Sequence, residues 1–273
     1  MTIGLDGPLL LAGVGKMGAA LLAGWLEHGI DRRLLHIQDP DPPASSSELL
    51  SAHGLVAESR ARPGDPLCAI LLAVKPQIMD DVLPALANIA TSETLILSIA
   101  AGRTIKSLAK HFDAGQPIIR AMPNTPASIG RGIAVVCAND DVTERQRDLC
   151  TSLLNAVGEV VWSDDEALLD PVTAVSGSGP AYLFLLAECL AEAGVEAGLP
   201  PELAQKLARA TVSGAGELLH RSDLDADELR ENVTSPGGTT AAALEVLMDE
   251  DGLQRLLTRA VEAATRRSRE LSS

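Results

Sequence analysis

Aromatic side chains are almost missing from this sequence: two Trp, two Phe and one Tyr in 273 residues. A core of ordinary size must therefore be assembled from Leu, Val, Ile and Ala. Positive charge is scarce as well, with 22 Lys and Arg against 37 Asp and Glu and a net charge of −15. No basic stripe exists to neutralise a phosphate backbone, which excludes nucleic acid as a partner. The same field opposes any anionic ligand at long range, so such a ligand needs strong local donors. The four cysteines, Cys68, Cys137, Cys150 and Cys189, show no CxxC spacing. No metal site is expected, and reduced thiols in a cytoplasmic protein are the expectation. The N-terminus lacks a basic leader segment, and its first apolar run is broken by glycines and Lys16. The longest uncharged stretch, 171–187, carries Pro, Ser and Gly in its first half and is not expected to cross a membrane.

What is present is a regular alternation. Apolar, β-rich runs at 8–12, 34–39, 67–74, 94–100, 117–121, 132–138 and 159–163 are separated by helical patterns at 16–28, 47–53, 79–89, 104–112 and 143–157. Strand–helix–strand alternation with continuous apolar strands predicts an α/β domain, a parallel sheet covered on both faces. After Ser163-Asp-Asp-Glu166 the strands stop. Helices follow at 178–197, 201–220, 226–231, 239–248 and 253–271, with Pro180 and Pro201 at first-turn positions. The expected division is an α/β domain over 1–164 and an all-α domain over 165–273.

Leu9-Leu-Leu-Ala-Gly13-Val14-Gly15-Lys16-Met17-Gly18 is a strand running into GxGxxG and at once into a helix. Gly13 permits the tight turn, Gly15 admits a pyrophosphate close to the backbone, and Gly18 lets helix pack on strand. The helix start adds N–H groups and a partial positive charge. Asp39 stands twenty-one residues after Gly18, at the end of the second strand, where an acidic residue usually accepts the ribose hydroxyls of NAD. Asp39 also suits a turn before Pro40, and Arg60 and Arg62 in the next loop are available to a 2′-phosphate. NADH and NADPH both stay open on this reading.

The helical half narrows the chemistry by what it omits. Carbonyl reduction requires a proton donor for the forming alkoxide, commonly Lys or His. From residue 164 onward there is one lysine, Lys206, and one histidine, His220, and Lys206 has Glu202 four residues before it on what reads as a solvated helix face. A protonated imine needs no such donor, so the omission favours C=N over C=O reduction. Lys75 and Tyr182 remain as alternative donors.

Five landmarks in order, Gly13-x-Gly15-x-Met17-Gly18, Ala73-Val-Lys-Pro-Gln77, Arg120-Ala-Met-Pro-Asn-Thr-Pro126, Ser176-Gly-Ser-Gly-Pro-Ala-Tyr182 and Val233-Thr-Ser-Pro-Gly-Gly-Thr-Thr240, give a sequence that resembles the pyrroline-5-carboxylate reductases over nearly its whole length. The resemblance implies an N-terminal Rossmann-like doubly wound domain and a C-terminal all-α dimerisation domain. It implies hydride transfer from NADPH or NADH to the C=N bond of 1-pyrroline-5-carboxylate, giving L-proline, the last step of proline biosynthesis. A homodimer, and in some members a larger ring of dimers, is implied too. Val74, Lys75 and Pro76 would line the nicotinamide pocket. Ala101 leaves the next strand with a small side chain that lets a cofactor ring lie close. Asn124, between two prolines, either presents its amide to the crevice or stiffens a turn.

The last landmark carries the anion argument. The run 234–240 precedes a helix with no acid in its first turn, so its N–H groups and dipole suit a negative ligand. By resemblance that ligand is the substrate carboxylate, held by Ser235, Gly238, Thr239 and Thr240. Thr240 would meet the ring nitrogen, and Asn232 would bridge substrate and cofactor. Thr239 also suits a plain N-cap. Asp39-Pro-Asp-Pro-Pro43 departs from the polar and basic residues that family members often carry there for NADPH. The competing readings are another imine or hydroxyacid reductase of similar plan and a non-catalytic dinucleotide sensor.

Overall fold

Leu9–Ala12 forms β1, and none of its four apolar residues is exposed. Buried on both sides, the strand splits its side chains between two layers, since successive residues point to opposite faces. Leu9 and Leu11 join Leu21, Leu22 and Trp25 of α1 (Lys16–Glu27). Leu10 and Ala12 join Met79, Leu83 and Leu86 on the other face.

These observations come from a computed structural model describing residues 3–60 and 64–272. The remaining strands are β2 (Leu35–Gln38), β3 (Ala57–Glu58), β4 (Ala69–Leu72), β5 (Leu95–Ser98), β6 (Ile118–Met122), β7 (Gly132–Ala138) and β8 (Gly158–Trp162). Their order across the sheet is β3-β2-β1-β4-β5-β6-β7-β8. Between them run α2 (Ala44–Ala52), α3 (Met79–Ala87), α4 (Ile105–Ala109) and α5 (Glu144–Asn155). Trp25 crosses from α1 to donate its indole N–H to the Leu153 carbonyl of α5 at 2.7 Å, which satisfies the one polar atom of that buried ring.

Two features depart from the expected parallel sheet. β3 is an extra edge strand of two residues, too short to show a pattern. β7 pairs antiparallel with β6, Arg120 facing Cys137. Residues 123–131 join the two strands, too few for the crossover a parallel pair requires.

The chain divides into two units, Met1–Gly177 with Ala264–Ser273, and Ser178–Ala263. The segment after β8 stays with the sheet. Its short helix α6 (Leu169–Val172) buries Leu169, and the π turn Thr173–Gly177 buries Ala174. The second unit holds α7 (Gly179–Glu196), α8 (Pro201–Arg221), α9 (Ala226–Asn232), α10 (Thr239–Leu247) and the start of α11 (Leu253–Ser272). No residue of α7 is buried within the chain, although it carries Leu183, Phe184, Leu185, Leu186 and Leu190. Phe184 is 66% exposed. So apolar a helix, left uncovered, marks an interaction surface.

Candidate active site

Strand order reverses between β1 and β4, and ligands of open α/β sheets bind at the carboxyl ends of strands at such a point. Gly13 leaves β1 with φ +98°, and a Cβ there would lie 2.8 Å from the Ala73 carbonyl oxygen at the end of β4. A Cβ on Gly18 would overlap the Gly13 carbonyl oxygen. These two glycines serve the fold. Gly15 differs: nothing lies within 4 Å of the position its Cβ would take. It caps the start of α1 with no side-chain cap and no acid in the first turn. An open cradle of free N–H groups at a helix start fits a pyrophosphate.

The loop is braced from the neighbouring strand. The Gly13 N–H donates to the Gln38 carbonyl at 2.8 Å, and buried Ser46 Oγ donates to the Val14 carbonyl at 2.6 Å. Asp39 Oδ2 accepts the Val14 N–H at 2.8 Å, Asp39 Oδ1 accepts the Asp41 N–H at 3.0 Å, and the Asp39 N–H donates to Glu58 of β3 at 2.9 Å. Lys16 is exposed on the loop, while Met17 is half-buried against the core. Arg60 is exposed beyond β3, and Arg62 lies outside the described residues.

Val74, Lys75 and Pro76 leave β4 at the same edge, with Lys75 exposed and Pro76 opening a 3₁₀ turn. Ala101 is exposed in the turn after β5. Arg103, to which sequence reasoning gives no role, ties these two exits. Its guanidinium donates to the Pro76 carbonyl at 3.0 Å and to Asp80 at 2.6 Å. That hydrogen bond, with His111 3.2 Å away on the other oxygen, holds the Asp80 carboxyl below the usual range. Asn124 spends its amide within the sheet unit. Its oxygen accepts the Ile133 N–H at 3.0 Å and its nitrogen donates to Ser176 Oγ at 3.2 Å. It therefore joins two of the five landmarks.

In the helical unit, α9 ends at Asn232, and Thr234 Oγ1 folds back onto the Arg230 carbonyl at 2.6 Å. The chain then turns through Gly237, φ +69°, and the Gly238 N–H closes on the Ser235 carbonyl at 3.0 Å. A Cβ on Gly238 would overlap Ser235 Oγ. α10 starts here with no side-chain cap and no acid in its first turn. Among the described residues, the side chains of Asn232, Ser235, Thr239 and Thr240 have no partner. An elbow of unspent donors at a helix start has the chemistry that suits an anion.

A glycine-loop nucleotide unit followed by a helical unit with this elbow defines a nicotinamide-dependent oxidoreductase. Residues 166–271 match the family model for pyrroline-5-carboxylate reductase dimerisation, and residues 9–102 match that for NADP oxidoreductase, coenzyme F420-dependent. The chain belongs to the pyrroline-5-carboxylate reductase family. A pyrroline-5-carboxylate reductase of Pseudomonas aeruginosa is 40% identical over 95% of both chains. The solved structure of a pyrroline-5-carboxylate reductase from Coxiella burnetii covers 98% of this chain and 100% of its own, with a TM-score of 0.89 and 33% identity. The Plasmodium falciparum pyrroline carboxylate reductase, solved with NADP bound, gives 0.82 at 32% identity over 98% and 99%. The uncovered α7 falls inside the dimerisation match, so the helical unit is a dimerisation domain.

Proposed function

We propose that this chain reduces the C=N bond of 1-pyrroline-5-carboxylate to L-proline. The observation that carries the reading is the elbow at 234–240, an uncapped helix start at which the side chains of Ser235, Thr239 and Thr240 are left unspent among the described residues. In a protein of net charge −15, an anionic substrate depends on such local donors. Hydrogen bonds to a charged group contribute about 1.5–3 kcal/mol each, so two or three of them fix a small ring by its carboxylate. Reduced nicotinamide supplies the hydride. The loop at Gly13–Gly18 holds the phosphates, and Val74, Lys75, Pro76 and Ala101 edge the crevice where the ring is placed. Hydride adds to the imine carbon, and the C=N π pair moves to a nitrogen that already carries its proton. Thr240 meets that nitrogen and keeps it oriented.

In this reading the protein works in the cytoplasm, in keeping with its four free cysteines, as a homodimer that assembles further into a ring. The test is oxidation of NADH and NADPH with pyrroline-5-carboxylate, and separately with a 2-keto acid. Turnover of the imine alone is expected. Turnover of the keto acid alone would overturn the reading in favour of a hydroxyacid reductase, and binding without any turnover would favour a sensor.

A further inference from the structure

We infer that Asp39 makes NADH, and not NADPH, the preferred reductant of this chain; the inference rests on the reductase reading above and concerns the ribose end of the same cofactor site. The Asp39 carboxylate is not a free surface charge. Its backbone is pinned to β3 through Glu58, and Oδ2 sits 2.8 Å from the Val14 N–H inside the glycine loop. It is therefore held at the carboxyl end of β2, against the loop that receives the dinucleotide.

A carboxylate offers roughly four lone-pair sites. The amides of Val14 and Asp41 use two, which leaves acceptor capacity for both hydroxyls of a ribose. A 2′-phosphate in the same place brings nearly two further negative charges and no proton to share with a carboxylate. Nothing on β2, on β3 or between them offsets that, and Arg60, the first cation after them, is exposed. From Leu34 to Ser59 the chain carries Asp39, Asp41, Glu48 and Glu58 and no lysine or arginine. The preceding arginines are committed elsewhere, Arg33 to Asp31 and Arg32 to the His53 carbonyl.

The test is calorimetric titration of the full chain with NADH and with NADPH. NADH is expected to bind about tenfold or more tightly, the factor that one to two kcal/mol of like-charge repulsion gives. Asp39→Asn keeps an oxygen for the Val14 N–H and removes the charge. It should tighten NADPH by about tenfold and weaken NADH a few-fold, bringing the two near parity. If Asp39 only braced the loop, the ratio of the two affinities would be the same in Asp39→Asn as in the native chain, and the inference falls. NADPH binding as tightly as NADH to the native chain also overturns it, whatever the variant does, and leaves the reductase reading standing. Binding of neither dinucleotide removes both.

Discussion

Arg120, in the middle of β6, donates from its guanidinium to Glu166 Oε1 at 2.9 Å, and the same oxygen accepts the Ile105 N–H at 2.8 Å. One carboxylate therefore holds a buried strand cation and the first turn of α4 together. Arg120 is 3% exposed, and its second terminal nitrogen has no partner among the described residues. Removing Glu166 leaves a buried charge uncompensated, which costs about 3–5 kcal/mol. Glu166→Ala is expected to lower the urea midpoint by that measure. Replacing both residues, Arg120→Met with Glu166→Ala, should recover part of the loss. Equal stability of the single variant and the native chain would show that the pair contributes nothing.

The glycine loop separates folding from binding. A methyl group at Gly15 meets open space in the free protein, so Gly15→Ala should melt at the native temperature. It should weaken dinucleotide binding by roughly tenfold to a hundredfold, as overpacking of about 1–3 kcal/mol against the pyrophosphate implies. Gly18→Ala pushes into the Gly13 carbonyl and should lower the melting temperature itself. Melting curves and titrations of both variants decide whether the two glycines differ in this way.

At the elbow, Thr240→Val keeps the backbone N–H and the side-chain volume and deletes the hydroxyl. The loss of one hydrogen bond to a charged group predicts a fall of roughly tenfold to a hundredfold in kcat/KM for pyrroline-5-carboxylate. Dinucleotide affinity in the absence of substrate should not move. Steady-state kinetics beside a cofactor titration would show it, and an unchanged kcat/KM would remove Thr240 from the site.

Burial pushes the Cys68 thiol from the ordinary 9.0 up to about 11 and the Cys150 thiol to about 12, and raises Cys137 as well. A raised acid favours its neutral form in the folded state. The stability it confers is intact below that ordinary value and is lost as pH climbs toward 11 and 12. In a disulfide-exchange assay at mildly alkaline pH, these three should stay silent until denaturant is added. All four cysteines should then react. Fast reaction of more than one thiol in the native protein would contradict this.

The sheet was largely legible in the sequence because its central strands, such as Leu9–Ala12 and Leu95–Ser98, are wholly apolar and evenly interrupted by helices. Ala57–Glu58 was not legible, since two residues have no period. The direction of β7 was available only from connection length, as hydrophobic pattern carries no strand polarity. At the nucleotide end, glycine spacing identified the loop, because Gly13 and Gly18 answer steric demands that spacing records. Arg120 and Arg103 were missed as organisers: their partners, Glu166 and the Pro76 carbonyl, are 46 and 27 residues away, and no local pattern encodes such a meeting. An arginine inside Ile118-Ile-Arg-Ala was the one available signal, for a buried cation demands a partner.

Ser268 of α11 donates to Asp170 of α6 at 2.6 Å, and a Cβ on Gly102 would lie 3.0 Å from the Leu271 carbonyl. The first unit thus draws part of its surface from residues that come after the whole helical unit in the chain. On the ribosome, the nucleotide-binding half cannot finish assembling until the helical half has been read through. Nascent chains stalled before Ala264 should leave that half more open to protease than the finished protein does.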